Sequence, residues 1–459
     1  MQNIDFNFKQ KVHFIGIGGI SMSSLAQVLL SRGFPVSGSD SKASDLTRQL
    51  EAEGALISIG QSADNITPDI QMVVYTAAIS EENPELKKAR EKGIPCVTRA
   101  DFLGQLMKNY ETTICVSGTH GKTTTTSMLS EIFLDAETDP TIMVGGILPS
   151  INGNTRIGHS GNFITEACEY TNSFLSFFPT VAVVLNVKAD HMDFFKDLDD
   201  IRKSFRRFVD LLPADGTLVI NGEIENLEYF TEGLNCRILS FGLKKDCTFH
   251  AENISYNELA CPEYDLYING TFEEHVSLCV PGEHNIYNSL AAIAAAYAVG
   301  LGVPESVASV GKFHGVDRRF QYKGKIGGVT VIDDYAHHPD EIEATLKAAL
   351  NLPHRKLWVV FQPHTYSRTE AFMEDFADKL SAADAVILAE IYPAREKNVH
   401  GTSSRQIQVL IQEKGTECYY FPTFDEIENF LLENCENGDV FITMGAGDVV
   451  LIGDSLLGK

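Results

Sequence analysis

The chain has 459 residues, a formal net charge of -25, and 44% apolar against 22% charged residues. That length exceeds one ordinary hydrophobic core and predicts about three domains of globular composition, while the acidic balance disfavours nucleic acid and anionic membrane surfaces as partners. Nine scattered cysteines without a C-x-x-C pair argue against a disulfide framework or structural zinc, and the absence of a signal-like N-terminus or a long apolar run leads us to expect a cytoplasmic protein with no stable membrane insertion.

Residues 11 to 108 alternate apolar runs with helical patterns, the signature of a parallel sheet. A strand Val12 to Gly16 runs into a glycine turn, then a helix from Ile20 to Ser31 and a short strand Pro35 to Gly38. Further strands are expected at Leu56 to Ile59 and Met72 to Thr76, with helices at Asp45 to Glu53 and Pro84 to Lys92. Gly16, Gly18, Gly19 and Ile20 place a helix N-terminus where it can receive pyrophosphate, and Asp40 stands where a dinucleotide fold puts its acidic residue. Ser21 replaces the third glycine of that fingerprint. A nicotinamide or flavin site, another nucleotide, and a turn without ligand all stay open on these residues.

A second unit is built on TTICVSGTHGKTTTT, Thr112 to Thr126. The β-branched run Ile114 to Val116 leads into Gly118, Thr119, His120 and Gly121, followed by Lys122, Thr123, Thr124 and a helix to about Asp135. This is a strand, phosphate loop and helix: the glycines let backbone N–H groups face phosphate, Lys122 reaches the terminal phosphates, and Thr123 offers its hydroxyl to Mg²⁺. The loop is the short G-T-H-G-K-T form, with Val116 where the longer motif has its first glycine.

Downstream, Phe163 to Thr165 is a strand ending at Glu166, and either Glu166 or Glu169 is placed to hold Mg²⁺ at a sheet edge. Val181 to Val187 is a buried strand leading to Asp190, His191 and Asp193, so His191 is expected to serve the site. The helix Leu198 to Leu212 carries Ile201, Phe205, Phe208, Val209 and Leu212 as a core stripe, with Arg202, Lys203, Arg206 and Arg207 on its remaining, solvated face. Strands at Thr217 to Ile220 and Arg237 to Phe241 continue the sheet, and residues 246 to 280 read as a small antiparallel excursion. PGEHNIYN then opens an alanine-rich helix in which Asn285 and Asn288 share a face, either to read a purine edge or to cap the helix.

A third unit contains four expected strands, Val329 to Asp333, Leu357 to Phe361, Ala385 to Ala389 and Val440 to Met444. Each runs into a polar or glycine-rich loop: DDYAHHPDE, QPHTYSR, EIYPARE and GAGD. A parallel sheet of this kind carries ligand groups on its carboxyl edge.

FIGIGGISMS, SGTHGKTTTT, EACEY, DHMDFF, GEHNIYNSLAA, FHGVDRRF, DDYAHHPDEI, FQPHTYSR and MGAGD stand in the order in which they occur in the Mur ligases, and over essentially its whole length the chain resembles that family. The resemblance implies an α/β protein of three domains: residues 1–108 Rossmann-like and binding a UDP-sugar, 109–314 a P-loop ATPase-type mononucleotide fold binding ATP, and 315–459 a Rossmann-like parallel sheet binding an amino acid. It implies an ATP-dependent ligase that joins L-alanine to the carboxylate of UDP-N-acetylmuramate through an acyl phosphate, acting as monomer or homodimer. On this reading the Gly16 to Ile20 turn and Asp40 hold UDP rather than a redox cofactor. Lys122 lies on the ATP phosphates, Thr123 and Glu166 serve Mg²⁺, His191 serves a second Mg²⁺ or the sugar carboxylate, and Asn285 and Asn288 lie near adenine. Arg319 reaches the phosphates from the domain junction, while Asp334 and His337 face the nucleotide. His364 and Arg368 receive L-alanine, with His364 a candidate base for its amine. Thr365 stands where many relatives have arginine.

Overall fold

The computed structural model describes residues 4–459 other than 77, 193, 258 and 395. Three sheets follow one another along the chain. The first contains β1 (Val12–Ile15), β2 (Val36–Asp40), β3 (Leu56–Ile59), β4 (Met72–Tyr75) and β5 (Cys96–Thr98). All pairings are parallel, in the order β3-β2-β1-β4-β5. The order reverses between β1 and β4, and an open parallel sheet binds its ligand in the crevice beyond the strand ends at such a point. The turn Gly16–Ile20 begins there, at the C-terminal end of β1.

The second sheet has ten strands: β6 (Thr112–Ser117), β7 (Thr141–Leu148), β8 (Gly153–Arg156), β9 (Asn162–Glu166), β10 (Val181–Val184), β11 (Thr217–Asn221), β12 (Arg237–Gly242), β13 (Phe249–Tyr256), β14 (Pro262–Ile268) and β15 (Thr271–Ser277). β6 lies inside it between parallel β9 and β10, with Ile114, Cys115 and Val116 fully buried, as a β-branched run on a two-sided sheet requires. β13, β14 and β15 form the antiparallel excursion. β7 and β8 were not apparent in the sequence, because their residues Gly145, Gly146, Gly153 and Asn154 break any apolar alternation. β10 ends at Val184 rather than at residue 187, and Leu185 to Lys188 leave the sheet to bind the phosphate loop.

The alanine-rich helix His284–Ala298 is buried on every side from Leu290 to Ala296, which fits a helix inside the domain rather than on it. Its small side chains let it approach the helix Lys122–Asp135 closely. The helix Leu198–Val209 is amphipathic as expected; Phe208 stacks on Phe174 at 4.6 Å. Its basic face is partly structured rather than simply solvated, since the Arg206 guanidinium donates to Asp210 and to the carbonyls of Tyr229 and Glu232.

The third sheet has six strands in the order β16-β17-β21-β18-β19-β20, not four: β16 (Gln321–Ile326), β17 (Val329–Asp334), β18 (Leu357–Phe361), β19 (Ala385–Leu388), β20 (Glu417–Tyr420) and β21 (Val440–Met444). The two additional strands are the edges. They carry Gln321, Lys323, Lys325 and Glu417, so their composition lacks the buried apolar run that marks the inner strands. β16 is antiparallel to β17 and the rest are parallel. The molecule is thus α/β with three sheets dominated by parallel pairing. No helix among the described residues is long and apolar enough to cross a membrane.

Candidate functional site

The phosphate loop is held open by two glycines that no other residue could replace without movement. Gly118 and Gly121 have φ of +144° and +87°, and a Cβ there would lie 2.8 Å from Leu185 Cβ and 2.6 Å from Asn288 Oδ1. Asn186 clamps the loop between them. Its Oδ1 accepts from the His120 N–H at 2.9 Å and its Nδ2 donates to the His120 carbonyl at 3.0 Å. The loop's other anchors are the Thr119 N–H on the Asn186 carbonyl and the Lys188 N–H on Thr119 Oγ1. A side chain such as Asn186 that mimics a backbone pairing has no linear signature.

Lys122 folds back over this loop. Its Nζ donates to the carbonyls of Gly118 at 2.5 Å and Thr119 at 3.1 Å, and pairs with Glu169 Oε2 at 3.1 Å. Burial works against the ammonium, but the Glu169 carboxylate outweighs it and holds the lysine charged. Glu169 is only 2% exposed, so it is the counter-ion of Lys122 and not a surface acid. Its Oε1 lies 4.0 Å from His191 Nε2. His191 adopts φ +54°, unusual for a residue with a Cβ, and its ring packs against Tyr170 at 4.6 Å, tilted by 33°. Position 193 lies outside the described residues.

Glu166 ends β9 beside Val116 of β6 and accepts from the Gly145 N–H at 2.5 Å. A Cβ on Gly145 would stand 2.7 Å from Glu166 Oε2, and one on Gly146 would stand 3.2 Å from Thr123 Cγ2. Gly145 therefore makes room for the Glu166 carboxylate and Gly146 for Val316 and the Thr123 methyl group, and the Thr123 hydroxyl with the Glu166 carboxylate is an all-oxygen donor set. That donor set suits a hard dication such as Mg²⁺.

Beside the loop opens a cleft of about 500 Å³ lined by His120, Gly121, Thr124, Asn285, Asn288, Arg319 and Asp334. Asn288 donates to Asn285 Oδ1 at 2.9 Å, and Asn285 donates to the Pro281 carbonyl at 2.7 Å. The helix His284–Ala298 has no side-chain N-cap, so the capping role considered for these amides is not realised. Deeper in, Tyr287 donates to Glu223 Oε2 at 3.1 Å, a pair the sequence did not single out. Burial and the nearby Arg319 push the His284 imidazole down to about 4.

Two neighbouring arginines divide their tasks. Arg318 spends its guanidinium on Asp333 and the carbonyls of Gly445 and Gly447, fixing the junction to the third sheet. Arg319 lies over Tyr335, 5.3 Å from the ring centre, and faces the cleft. Asp334 accepts from the N–H groups of Phe320 and Ala336 and from Thr345 Oγ1. Burial raises its carboxyl to about 6. His337 does not line the cleft; its Nδ1 is 2.9 Å from the Tyr335 carbonyl and its ring 6.0 Å from that of His364.

His364 stacks on Tyr392 at 5.5 Å, and its Nδ1 is buried without a hydrogen bond among the described residues. Burial and Arg368 lower its pKa, so it is neutral at neutral pH. Arg368 Nη2 donates to Asp190 Oδ1 at 3.4 Å, bringing the third sheet onto the loop that carries His191. Burial opposes the charge on Asp190, but His191, Arg368 and His338 hold its carboxyl down at about 2.

The first sheet presents a separate turn. Gly16 has φ +81° and its N–H bonds the Ser39 carbonyl. The Gly18 N–H donates to Asp40 Oδ2 at 2.9 Å, and a Cβ there would meet that oxygen at 2.9 Å. Asp40 thus braces the turn itself. Gly19 begins the helix without a side-chain cap, and Ile20 is 61% exposed, so the helix N-terminus is open to a ligand. Thr155 reaches Ser24 on this helix, joining the first and second sheets.

Comparison with known proteins places this arrangement. The Mur ligase catalytic domain matches residues 11–111, the Mur ligase middle domain 116–296, and the Mur ligase glutamate ligase domain 318–447. The chain is 57% identical over 459 residues to the UDP-N-acetylmuramate–L-alanine ligase of Agathobacter rectalis, covering 100% of both chains. It is 56% identical to that of Lachnospira eligens, again over 100% of both. Among solved structures it is similar to the UDP-N-acetylmuramate-alanine ligase of Thermotoga maritima, with a TM-score of 0.81, 30% identity and 98% of each chain covered. A murein peptide ligase of Psychrobacter arcticus gives a TM-score of 0.70 at 25% identity, also over 98% of each chain. Three family domains in sequence, a fold shared end to end and relatives identical at more than half of all positions show that the chain belongs to the Mur ligase family.

Proposed function

We infer that this chain is an ATP-dependent ligase that joins L-alanine to the carboxylate of UDP-N-acetylmuramate, the first amino-acid addition in peptidoglycan precursor synthesis. The observation that carries the reading is the full-length identity to ligases of that name, 57% over 459 residues. Supporting it, the charged Lys122 on the phosphate loop and Arg368 on the third sheet converge on one loop, Lys122 through Glu169 beside His191 and Arg368 through Asp190.

A carboxylate is a poor electrophile because attack by an amine would have to expel oxide. Transfer of the γ-phosphoryl of ATP to the muramyl carboxylate gives an acyl phosphate, which the amine of L-alanine attacks to form the amide, ADP and phosphate. Lys122 and Arg319 neutralise charge on the transferring group. Thr123 and Glu166, with His191 beside Glu169, are the residues that would hold Mg²⁺, which would supply further neutralisation of phosphate charge. The open helix N-terminus at Gly19 and Ile20 accepts the diphosphate of the UDP-sugar, with Asp40 bracing the turn. Asn285 and Asn288 lie toward the adenine end of the cleft. Arg368 pairs with the alanine carboxylate, releasing Asp190, and neutral His364 takes the proton lost by the amine. Closure of the third sheet on the second excludes water from the acyl phosphate. Nine free cysteines fit a reducing compartment, the cytoplasm.

The test is phosphate release and product mass with UDP-N-acetylmuramate, ATP, Mg²⁺ and a panel of amino acids. Release that depends on both the sugar nucleotide and L-alanine, with a product heavier by one alanyl residue, is expected. Release indifferent to either substrate would sink the reading.

A further inference from the structure

At the seam between the phosphate loop and the helix Pro339–Leu350 lie two imidazoles whose Nε2 atoms make no hydrogen bond among the described residues. We propose that His120, His338 and Asp340 form a binding site for one transition-metal dication of the zinc class, distinct from the oxygen donors around Thr123 and Glu166. One ligand atom from each of the three lies within 4.8 Å of the other two. His120 Nε2 is 3.9 Å from Asp340 Oδ2, and the two histidine rings are 5.0 Å apart. Ligands on a tetrahedral ion with bonds of about 2.0–2.2 Å lie about 3.4 Å apart, so the His120–Asp340 pair would close by about 0.5 Å and no pair of the three by more than about 1.4 Å.

The second observation is the state of the imidazoles. Both Nε2 atoms are buried and make no hydrogen bond among the described residues, and His338 as a whole is only 4% exposed. A well-satisfied interface does not leave two ring nitrogens without partners side by side. His120 Nδ1 lies 3.2 Å from Glu341 Oε1 and donates to it, which leaves the lone pair on Nε2. A carboxylate behind a ligating histidine fixes tautomer and orientation in this way. Two nitrogens and one carboxylate select a borderline transition ion over Mg²⁺, which prefers oxygen and water.

Loading the site changes two existing contacts. His338 Nδ1 accepts from the Asp340 N–H at a long 3.3 Å, and ligation through Nε2 moves the ring proton to Nδ1 and gives up that bond. Asp340 Oδ2 also accepts from Lys188 Nζ at 2.8 Å; the lysine side chain is half exposed and can turn to solvent. In return the ion ties the phosphate loop of the second sheet to the first long helix of the third.

The full chain, stripped with a chelator, would be titrated with Co²⁺ in excess Mg²⁺ without ATP or sugar nucleotide, so that the outcome is independent of the ligase reading. One Co²⁺ per chain with a nitrogen–oxygen ligand-field band is expected, and Zn²⁺ should compete it away and raise the Tm. His338→Ala and, separately, Asp340→Asn should each weaken Co²⁺ binding by at least about tenfold. Should circular dichroism show His338→Ala unfolded, Asp340→Asn carries the comparison. Absence of stoichiometric binding, a thiolate charge-transfer band that puts the ion on a cysteine, or unchanged affinity in the folded variants would each overturn the proposal.

Discussion

Arg368 and Asp190, 178 positions apart in sequence, meet at 3.4 Å across the junction of the second and third sheets. On the proposed function, a substrate carboxylate would compete with Asp190 for this guanidinium. Arg368→Ala removes a charge-assisted contact worth about 1.5–3 kcal/mol. The KM for L-alanine should rise about ten- to a hundredfold, with the KM for UDP-N-acetylmuramate little changed. Arg368→Lys should recover only part of this, because a lysine cannot grip a carboxylate with two prongs. Initial rates over both substrates measure it, and an unaltered alanine KM would remove Arg368 from the amino-acid site.

Lys122 has its charge secured by Glu169. Lys122→Ala should lower kcat by more than about a hundredfold, the scale for loss of one donor to developing charge. Binding of the UDP-sugar to the first sheet should persist, as followed by calorimetry. Glu169→Gln leaves the buried ammonium without its counter-charge and should cost about 3–5 kcal/mol of stability, read from urea unfolding.

Gly145 gives a test of the Mg²⁺ assignment that touches neither substrate. In Gly145→Ala the new methyl group would fall 2.7 Å from Glu166 Oε2 and displace the carboxylate. The Mg²⁺ concentration for half-maximal activity should rise about tenfold, the effect of disturbing a ligand's support. An unchanged Mg²⁺ dependence would place the metal away from Glu166.

His13 of the first sheet and Glu85 of the helix Pro84–Glu91 packed on it form a buried pair at 3.0 Å, with Ser39, Asn65 and the Ser62 N–H on the same carboxylate. Burial opposes the charge on Glu85, but these donors keep its pKa lowered. His13→Ala should destabilise the protein by about 3 kcal/mol and leave the KM for ATP unaltered, because the pair lies at another sheet from the cleft. A change in ATP KM without loss of Tm would contradict that assignment.

Stability should fall on acidification. His284 has its pKa lowered from 6.5 to about 4, so the unfolded chain takes up its proton first and the stability this group contributes above pH 6.5 is lost as pH falls toward 4. Asp334 acts with the opposite sign. Its pKa is raised from 3.8 to about 6, so its contribution is present below 3.8 and lost as pH rises through 6. The Tm difference between pH 7 and pH 5 should therefore narrow in His284→Gln and widen in Asp334→Asn, each measured by calorimetry at both values.

Much of this protein is determined locally. The strand, loop and helix around Lys122 follow from a β-branched run, two glycines at positive φ and a hydroxyl-rich helix start, all within one stretch of chain. The inner parallel strands are legible because both their faces are buried and their composition is uniformly apolar. The edge strands β8, β16 and β20 are not, since a half-solvated edge tolerates glycine, lysine and glutamate, and β7 beside β8 is interrupted by Gly145 and Gly146. The mutual arrangement of the site is a matter of tertiary structure alone. Glu169 becomes the partner of Lys122, Asn186 the clamp of His120, and Asp190 the partner of Arg368 through the meeting of strand ends from different parts of the chain. Those contacts are fixed by sheet order and by the packing of one sheet against the next, and no spacing along the sequence encodes them.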